Sequence, residues 1–272
     1  MATAKPNGRS KEVRPTRATP TRDAIRETYA AQRREAVAAL HAAGLGGRAA
    51  ELEPLIRDTI AVTVLPPLKT SPRPGVSRLG GSPELPPGSP WPEVNGEPLP
   101  FLAQLRLEEV APYDIHDRLP TKGLLSMFVG RVLDANGVPV THARVLHVPT
   151  RSDLVPLQAA TAPSKPSLVE LAPLAMLPPY GSRLVKYNRA YQDFYDERYD
   201  MGSGTPRHGL LCFDRPLEEL LGPDEEILLR LDQARAVPYD FVEAAVVYVL
   251  MPRVALAGRD FSAARAVEGA TI

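Results

Sequence analysis

Cysteine is almost absent from this sequence, which has 272 residues and a single thiol, Cys212. One cysteine excludes an internal disulfide and any metal site built from several thiolates, and it fits a reducing compartment. An excess of charge is missing too, because 32 basic side chains balance 32 acidic ones. This neutral balance favours neither nucleic acid nor an anionic membrane, and we expect neither as a partner.

Long apolar runs and catalytic motifs are also missing. No stretch reaches the roughly 18 apolar residues of a membrane span, and no apolar run follows the basic N-terminus, so the cytoplasm is the simplest location. The sequence contains no phosphate-binding loop, no nucleophile elbow and no zinc-ligand spacing. We therefore predict no cofactor, no metal and no catalytic residue.

Proline is abundant, with 30 residues, beside an apolar fraction of 44%. That fraction allows a buried core, and the prolines predict short elements joined by long loops. Residues 1–20 are basic and almost free of apolar side chains, which predicts a disordered tail. Residues 21–272 are predicted to form one domain.

Helical spacing of apolar residues predicts one amphipathic helix from Asp23 to the glycines at 44–47, and a second from Ala49 to about Asp58. These helices make up a helical cap over 21–60. A β-branched run follows, from Ile60 to Pro66, and predicts a strand.

Alternation from Phe101 to Leu107 predicts a strand with one apolar face, formed by Phe101, Ala103, Leu105 and Leu107. Further along, the Asn136–Gly137 pair predicts a β-hairpin with a type I′ turn. These signals indicate an α+β fold with a mostly antiparallel or mixed sheet. We divide it into a first sheet unit over 61–150, a variable middle over 151–209 and a second sheet unit over 210–272.

An internal echo suggests that the two sheet units are related. The run FLAQLRLEEVAPYD aligns with ILLRLDQARAVPYD, and a strand follows each of them after a loop. The alignment places Tyr113 and Asp114 opposite Tyr239 and Asp240, and we take these four as candidate binding residues. Whether the two pairs meet in one cleft is left open.

Three sequence runs carry a family resemblance: GG-x-P-x-LPPG-x-x-WP, then PL-x-FLAQL-x-LEE, then LP-x-x-GLL-x-x-F. They resemble the YwqG-like family of bacterial proteins, a domain of unknown function. The family has no established activity, so the resemblance assigns no catalytic residue. It implies an immunity or accessory role, because such domains are found near bacterial toxin systems.

Two aromatic features complete the candidate sites. Trp91 lies in a loop rich in glycine and proline, and either anchors that loop or contributes to a ligand site. A tyrosine stripe at helical spacing is either a binding face or the seat of a helix on the sheet. The candidate binding residues of the stripe are Tyr187, Tyr191 and Tyr199.

We predict a non-enzymatic protein-binding module with a protein partner, and we make no prediction of the oligomeric state. One alternative is a hydrolase-like enzyme whose site is assembled from distant residues, with Asp114, His116 and Asp240 as its first candidates. Another is cargo of a secretion or injection apparatus, addressed by the basic tail.

Overall fold

A computed structural model describes residues 19–150, 153–158, 160–161, 164–182, 184–200, 208–212, 221–222, 224–232 and 246–269. The predicted N-terminal tail falls outside the described residues except for its last two positions. The candidate binding residues Tyr239 and Asp240 fall outside them as well, and the question of one cleft shared with Tyr113 and Asp114 stays open.

Five α-helices occur in the described part of the chain: α1 (Arg22–Ala42), α2 (Gly46–Leu52), α3 (Leu107–Val110), α4 (Arg189–Tyr195) and α5 (Arg253–Ala257). The first predicted helix is confirmed as α1. Its N-cap is Thr21, whose hydroxyl accepts a hydrogen bond from the N–H of Ala24 at 3.3 Å. None of these helices is both long enough and apolar enough to cross a membrane.

The second predicted helix, Ala49 to Asp58, is wrong at its C-terminal end. The α-helix stops at Leu52, and a 3₁₀ turn over Glu53–Leu55 follows, with Pro54 in its first turn. Proline has no N–H to continue an α-helix, so the chain turns there. The first strand already begins at Arg57.

The described strands are β1 (Arg57–Val64), β2 (Arg78–Leu79), β3 (Glu84–Leu85), β4 (Glu93–Val94), β5 (Glu97–Pro98), β6 (Phe101–Arg106), β7 (Leu124–Leu133), β8 (Pro139–Val148), β9 (Val155–Pro156), β10 (Ser167–Met176), β11 (His208–Leu210), β12 (Glu225–Asp232), β13 (Val246–Pro252) and β14 (Arg265–Gly269). Ten of them form one sheet in the order β14-β13-β12-β11-β1-β10-β2-β6-β7-β8. Every neighbouring pair is antiparallel. The predicted α+β class is therefore confirmed.

The two edge strands of this sheet approach each other. Thr141 of β8 donates a hydrogen bond to the carboxylate of Glu268 in β14, and Arg131 Nε of β7 lies 3.5 Å from the same carboxylate. The sheet is therefore a nearly closed barrel, a shape that leaves few strand edges exposed. Its main core is apolar and includes Ile60, Leu105, Met127, Leu229 and Val249.

The sheet has four strands on each side of the central β1–β10 pair. On the β1 side come β11, β12, β13 and β14, and on the β10 side come β2, β6, β7 and β8. The strands that begin the two echoing sequence runs, β6 and β12, thus lie in matching places. A common origin of the two units stays a prediction.

The predicted alternation of β6 is wrong at its first residues. The register between β6 and β7 shifts between Phe101 and Ala103, so an extra residue bulges out of the ladder. As a result, Leu102 and Ala103 both join the main core, and Phe101 packs with Phe128 in a separate cluster.

The predicted hairpin is confirmed as β7 and β8, but its turn is not type I′. Gly137 has φ +76°, whereas Asn136 is not among the residues with positive φ. The N–H of Gly137 donates to the carbonyl of Asp134 at 3.0 Å, as in a type I turn with a following glycine bulge. The Asp134 carboxylate favours this turn, because it accepts the N–H groups of Asn136 and Val138.

Candidate functional site

The sheet is interrupted between β10 and β6. The strand between them, β2, pairs only with Ser167 and Leu168 of β10. The chain just before β2 is held towards β6 instead: Ser77 Oγ accepts the N–H of Arg106 at 2.9 Å and donates to Glu109 at 2.6 Å. Beyond Leu168, no strand in the described part of the chain pairs with this side of β10.

The backbone of β10 shows which groups face the gap. The carbonyl of Leu168 accepts the N–H of Leu65 on the β1 side at 2.9 Å. Because successive residues of an antiparallel strand point to opposite neighbours, Val169 and Leu171 direct their N–H and C=O groups into the gap. On that side, the backbone N–H and C=O groups of both residues have no hydrogen-bond partner among the described residues.

Further along β10, side chains replace the missing strand. Gln32 of α1 donates from Nε2 to the carbonyl of Pro173 at 3.1 Å and accepts the N–H of Ala175 at 2.8 Å. The N–H of Leu177 donates to the hydroxyl of Tyr199 at 3.2 Å. The open part of the edge is therefore limited to Val169 and Leu171.

A cleft of about 830 Å³ lies along this open edge. Its volume is typical of ligand-binding sites. Val169 and Leu171 are partly buried and pack against the main core, which gives the cleft an apolar side. The remaining lining residues come from the start of α1, from β1, from α3 and its approach, and from β10: Thr19, Pro20, Ile25, Thr28, Thr63, Arg106, Glu108, Glu109, Tyr113, Glu170, Ala172 and Pro173.

The charged side chains of the cleft are mainly acidic. Among the lining residues that the structure describes, Glu108, Glu109 and Glu170 face a single cation, Arg106. Arg106 forms ion pairs with the first two carboxylates, at 3.6 Å and 3.5 Å. One guanidinium does not neutralise three carboxylates, so the described lining of the cleft is negative and suits a cationic ligand.

A second polar site lies where the loop after α3 covers the start of β1. Asp58 is buried, and its carboxylate lies 2.9 Å from Arg33 Nη2 and 2.9 Å from His116 Nε2. The His116 side chain is 53% exposed, so this histidine–aspartate pair faces solvent. Among the described residues, no three His, Cys, Asp or Glu side chains are placed to hold a metal ion.

Of the predicted pair Tyr113 and Asp114, only the tyrosine lines the cleft. Its carbonyl accepts a hydrogen bond from the phenol of Tyr29 at 3.1 Å, and burial raises the pKa of that phenol. Asp114 is buried behind it, where its carboxylate accepts the N–H of Leu119 at 2.7 Å and pairs with Arg118 at 3.6 Å. Asp114 therefore anchors the loop.

The tyrosine stripe lies mostly inside the protein. Tyr191 is fully buried and its hydroxyl donates to the carbonyl of Pro178 at 2.7 Å, and Tyr195 is buried beside it. Tyr199 is partly buried, and Tyr187 is 63% exposed. The stripe packs into the same apolar cluster as residues of α1 and α2, so it attaches α4 to these helices. Tyr187 is the most exposed member of the stripe.

Trp91 holds its loop in place. Its indole N–H donates to the carbonyl of Leu99 at 2.8 Å, and its ring packs edge-to-face on Phe128 with centroids 5.4 Å apart. Nearby, a buried ion pair joins Arg78 to Glu84 at 3.1 Å. These residues lie in or beside the proline-rich run that carries the family resemblance, and they shape the loop.

This geometry defines an α+β protein with a nearly closed antiparallel barrel and one cleft at the interruption of its sheet in the described part of the chain. The family model described as domain of unknown function DUF1963 matches residues 77–267, which is more than half of the chain, so the chain belongs to that family. The matched segment begins at Ser77, the residue that holds the chain just before β2 towards β6. No curated protein matches the sequence.

Sequence reasoning missed the cleft residues of β10. The variable middle gave no clear strand, because the run SLVELAPLAM contains Pro173. Proline is confined to strand positions whose N–H is not needed by a neighbour. A proline inside an otherwise strand-like run was therefore the available signal for an open edge.

Proposed function

We propose that this protein is a non-enzymatic protein-binding module of the bacterial cytoplasm and that the cleft beside β10 is its binding site. The observation that carries the proposal is the gap in the sheet, where Val169 and Leu171 offer apolar surface next to open backbone groups. The resemblance to YwqG-like proteins adds an immunity or accessory role in a bacterial toxin system.

The composition of the cleft supports binding. Apolar side chains near the open edge supply contact area, while Tyr113 and the carboxylates supply directional contacts. Tyrosine is enriched at binding hot spots because it combines a large apolar area with a polar tip.

The test fills the cleft. Ala172 is an exposed residue of β10 that lines the cleft, so Ala172→Trp places a bulky ring there without removing a core contact. The matched control is Val140→Trp, at an exposed position of β8 on another part of the sheet. Tagged full-length proteins are crosslinked in cells of the source organism, and the bound proteins are identified by mass spectrometry.

We expect one partner to be retained by the wild type and by Val140→Trp and lost from Ala172→Trp, with unchanged thermal unfolding of all three. If the partner is a toxin, coexpression of the wild type restores growth and coexpression of Ala172→Trp does not. A partner retained equally by both tryptophan variants contradicts the cleft as the site, and the absence of any specific partner contradicts the proposal.

A hydrolase-like activity is the second candidate, and the pair formed by exposed His116 and buried Asp58 favours it. A carboxylate that orients a histidine is a common arrangement for general base catalysis. Hydrolysis found in a broad screen and abolished by His116→Asn supports this candidate, whereas a wild type inactive on every substrate contradicts it. The secretion-cargo alternative stays a prediction, because residues 1–18 lie outside the described residues.

A further inference from the structure

We infer that the cleft binds an extended peptide segment carrying lysine or arginine, which adds to the sheet as an antiparallel strand beside β10. This inference rests on the proposed binding function and names the partner's chemistry and its mode of binding. The added segment takes the place that β2 would occupy if β2 continued past its contact with Leu168.

The backbone argument comes from the two open residues. Val169 and Leu171 present two N–H donors and two C=O acceptors towards the gap, at the spacing of an antiparallel ladder. Backbone polar groups at a strand edge are a template for another strand, and strand addition is a recurrent mode of peptide recognition. Because β2 is antiparallel to β10, a segment that continues its line is antiparallel as well.

The length of the added strand is limited at both ends. At one end, β2 pairs with Ser167 and Leu168. At the other end, Pro173 has no N–H to offer, and Gln32 already binds the carbonyl of Pro173 and the N–H of Ala175. The open edge thus accepts a short extended segment and does not template an indefinite row of strands.

The side chains around the gap select a cation. Glu170 lies on β10 itself, and Glu108 and Glu109 lie on α3 across the cleft, so carboxylates flank the path of the segment. Arg106 pairs with the two glutamates of α3, which leaves Glu170 as the carboxylate with no charged partner among the described residues. A lysine or arginine of the bound segment is expected to contact Glu170 first.

The experiment selects ligands without knowing the natural one. A phage-displayed library of random dodecapeptides is selected on the full-length protein and counter-selected on Ala172→Trp. The best peptide is then synthesised with single N-methyl groups at each position in turn, and its binding is measured by fluorescence anisotropy. We expect selected peptides to contain lysine or arginine among β-branched residues.

Strand addition predicts an alternating pattern in this scan. N-methylation of the residues whose N–H faces β10 removes a hydrogen bond and adds a clash, so affinity falls by about tenfold or more. N-methylation of the intervening residues changes affinity by less than about twofold. Glu170→Gln weakens the binding of a cationic peptide by about two- to fivefold. The matched control Glu97→Gln, in an exposed strand outside the cleft, leaves its affinity unchanged.

Several outcomes overturn the inference. One of them is a selected peptide that fails to bind Ala172→Trp and yet shows no alternating loss of affinity in the N-methyl scan. That result supports the cleft as a binding site and contradicts strand addition. Selected peptides without basic residues remove the charge argument, and a selection that enriches nothing removes the inference as a whole. Displacement of the selected peptide by a synthetic peptide of residues 1–18 identifies the chain's own N-terminal segment as the occupant and overturns a separate partner.

Discussion

Gln32 binds the backbone of Ala175 in the way that a neighbouring strand would. Its side-chain amide accepts the N–H of Ala175 at 2.8 Å and donates to the carbonyl of Pro173 at 3.1 Å. Gln32 belongs to α1, whereas the family model begins at residue 77. The N-terminal helix therefore completes a sheet edge that the family segment leaves open, and it sets one end of the cleft.

We predict that Gln32→Ala lowers the free energy of unfolding by about 2–3 kcal/mol. The variant removes two hydrogen bonds and leaves the N–H of the buried Ala175 without its partner, and an unsatisfied buried donor costs about 1–3 kcal/mol. Urea unfolding followed by circular dichroism measures the change.

The matched control is Glu27→Ala, on an exposed part of the same helix, where Glu27 forms an ion pair with the exposed Arg34. Exposed pairs contribute little, so this variant is expected within about 0.5 kcal/mol of the wild type. Equal losses in the two variants would mean that the two hydrogen bonds from Gln32 to β10 do not contribute to stability.

Much of this fold follows from local sequence signals. The capped helix α1 and the β7–β8 hairpin are predicted because apolar spacing and turn residues act over short distances. The predicted type of the hairpin turn was wrong because the Asp134 side chain stabilises a different turn through hydrogen bonds to the backbone. The Asn-Gly pattern does not include hydrogen bonds of this kind.

The cleft was not predictable in the same way. Its open edge depends on Ser77 bonding to Arg106 and on Gln32 reaching Ala175, and both contacts join residues far apart in sequence. The candidate Tyr113 was found because it lies in a recognisable run, and it does line the cleft. Buried Tyr191 was chosen because it belongs to a tyrosine stripe at helical spacing, but periodicity does not show which side of a tyrosine-rich helix faces the core.

We predict that Gly123→Ala destabilises the protein far more than Gly137→Ala. Both glycines have positive φ, +99° and +76°, so both variants strain the backbone. Only at Gly123 would the added Cβ meet other atoms, because it would lie 2.2 Å from the carbonyl oxygen of Val148, whereas the space at Gly137 is open.

Backbone strain alone is expected to cost about 1 kcal/mol at Gly137, and strain with a clash about 3 kcal/mol or more at Gly123. Thermal and urea unfolding of the two variants measure the difference. Gly123 lies in the GLL run that carries the family resemblance, so a small effect there would remove the structural explanation for that glycine.

The last prediction concerns His208, whose imidazole is buried. Its Nδ1 accepts the N–H of Asp232 at 3.0 Å, and burial lowers the pKa of His208 from 6.5 to about 4 although the Asp232 charge raises it. A histidine that accepts through Nδ1 in an apolar environment is stabilised in its neutral form.

The direction of the pH dependence follows from proton binding. Below pH 6.5 His208 is protonated in the unfolded chain, whereas in the folded chain it stays neutral until about pH 4. The stabilising contribution of neutral His208 is therefore complete above pH 6.5 and is lost as the pH falls towards 4. Between about pH 7.5 and 5 this residue alone is expected to remove about 2 kcal/mol of unfolding free energy. Urea unfolding across that range compares the wild type with His208→Gln, whose amide oxygen retains an acceptor and does not titrate. A smaller pH dependence in the variant supports the assignment, and identical slopes would show that His208 is protonated equally in both states.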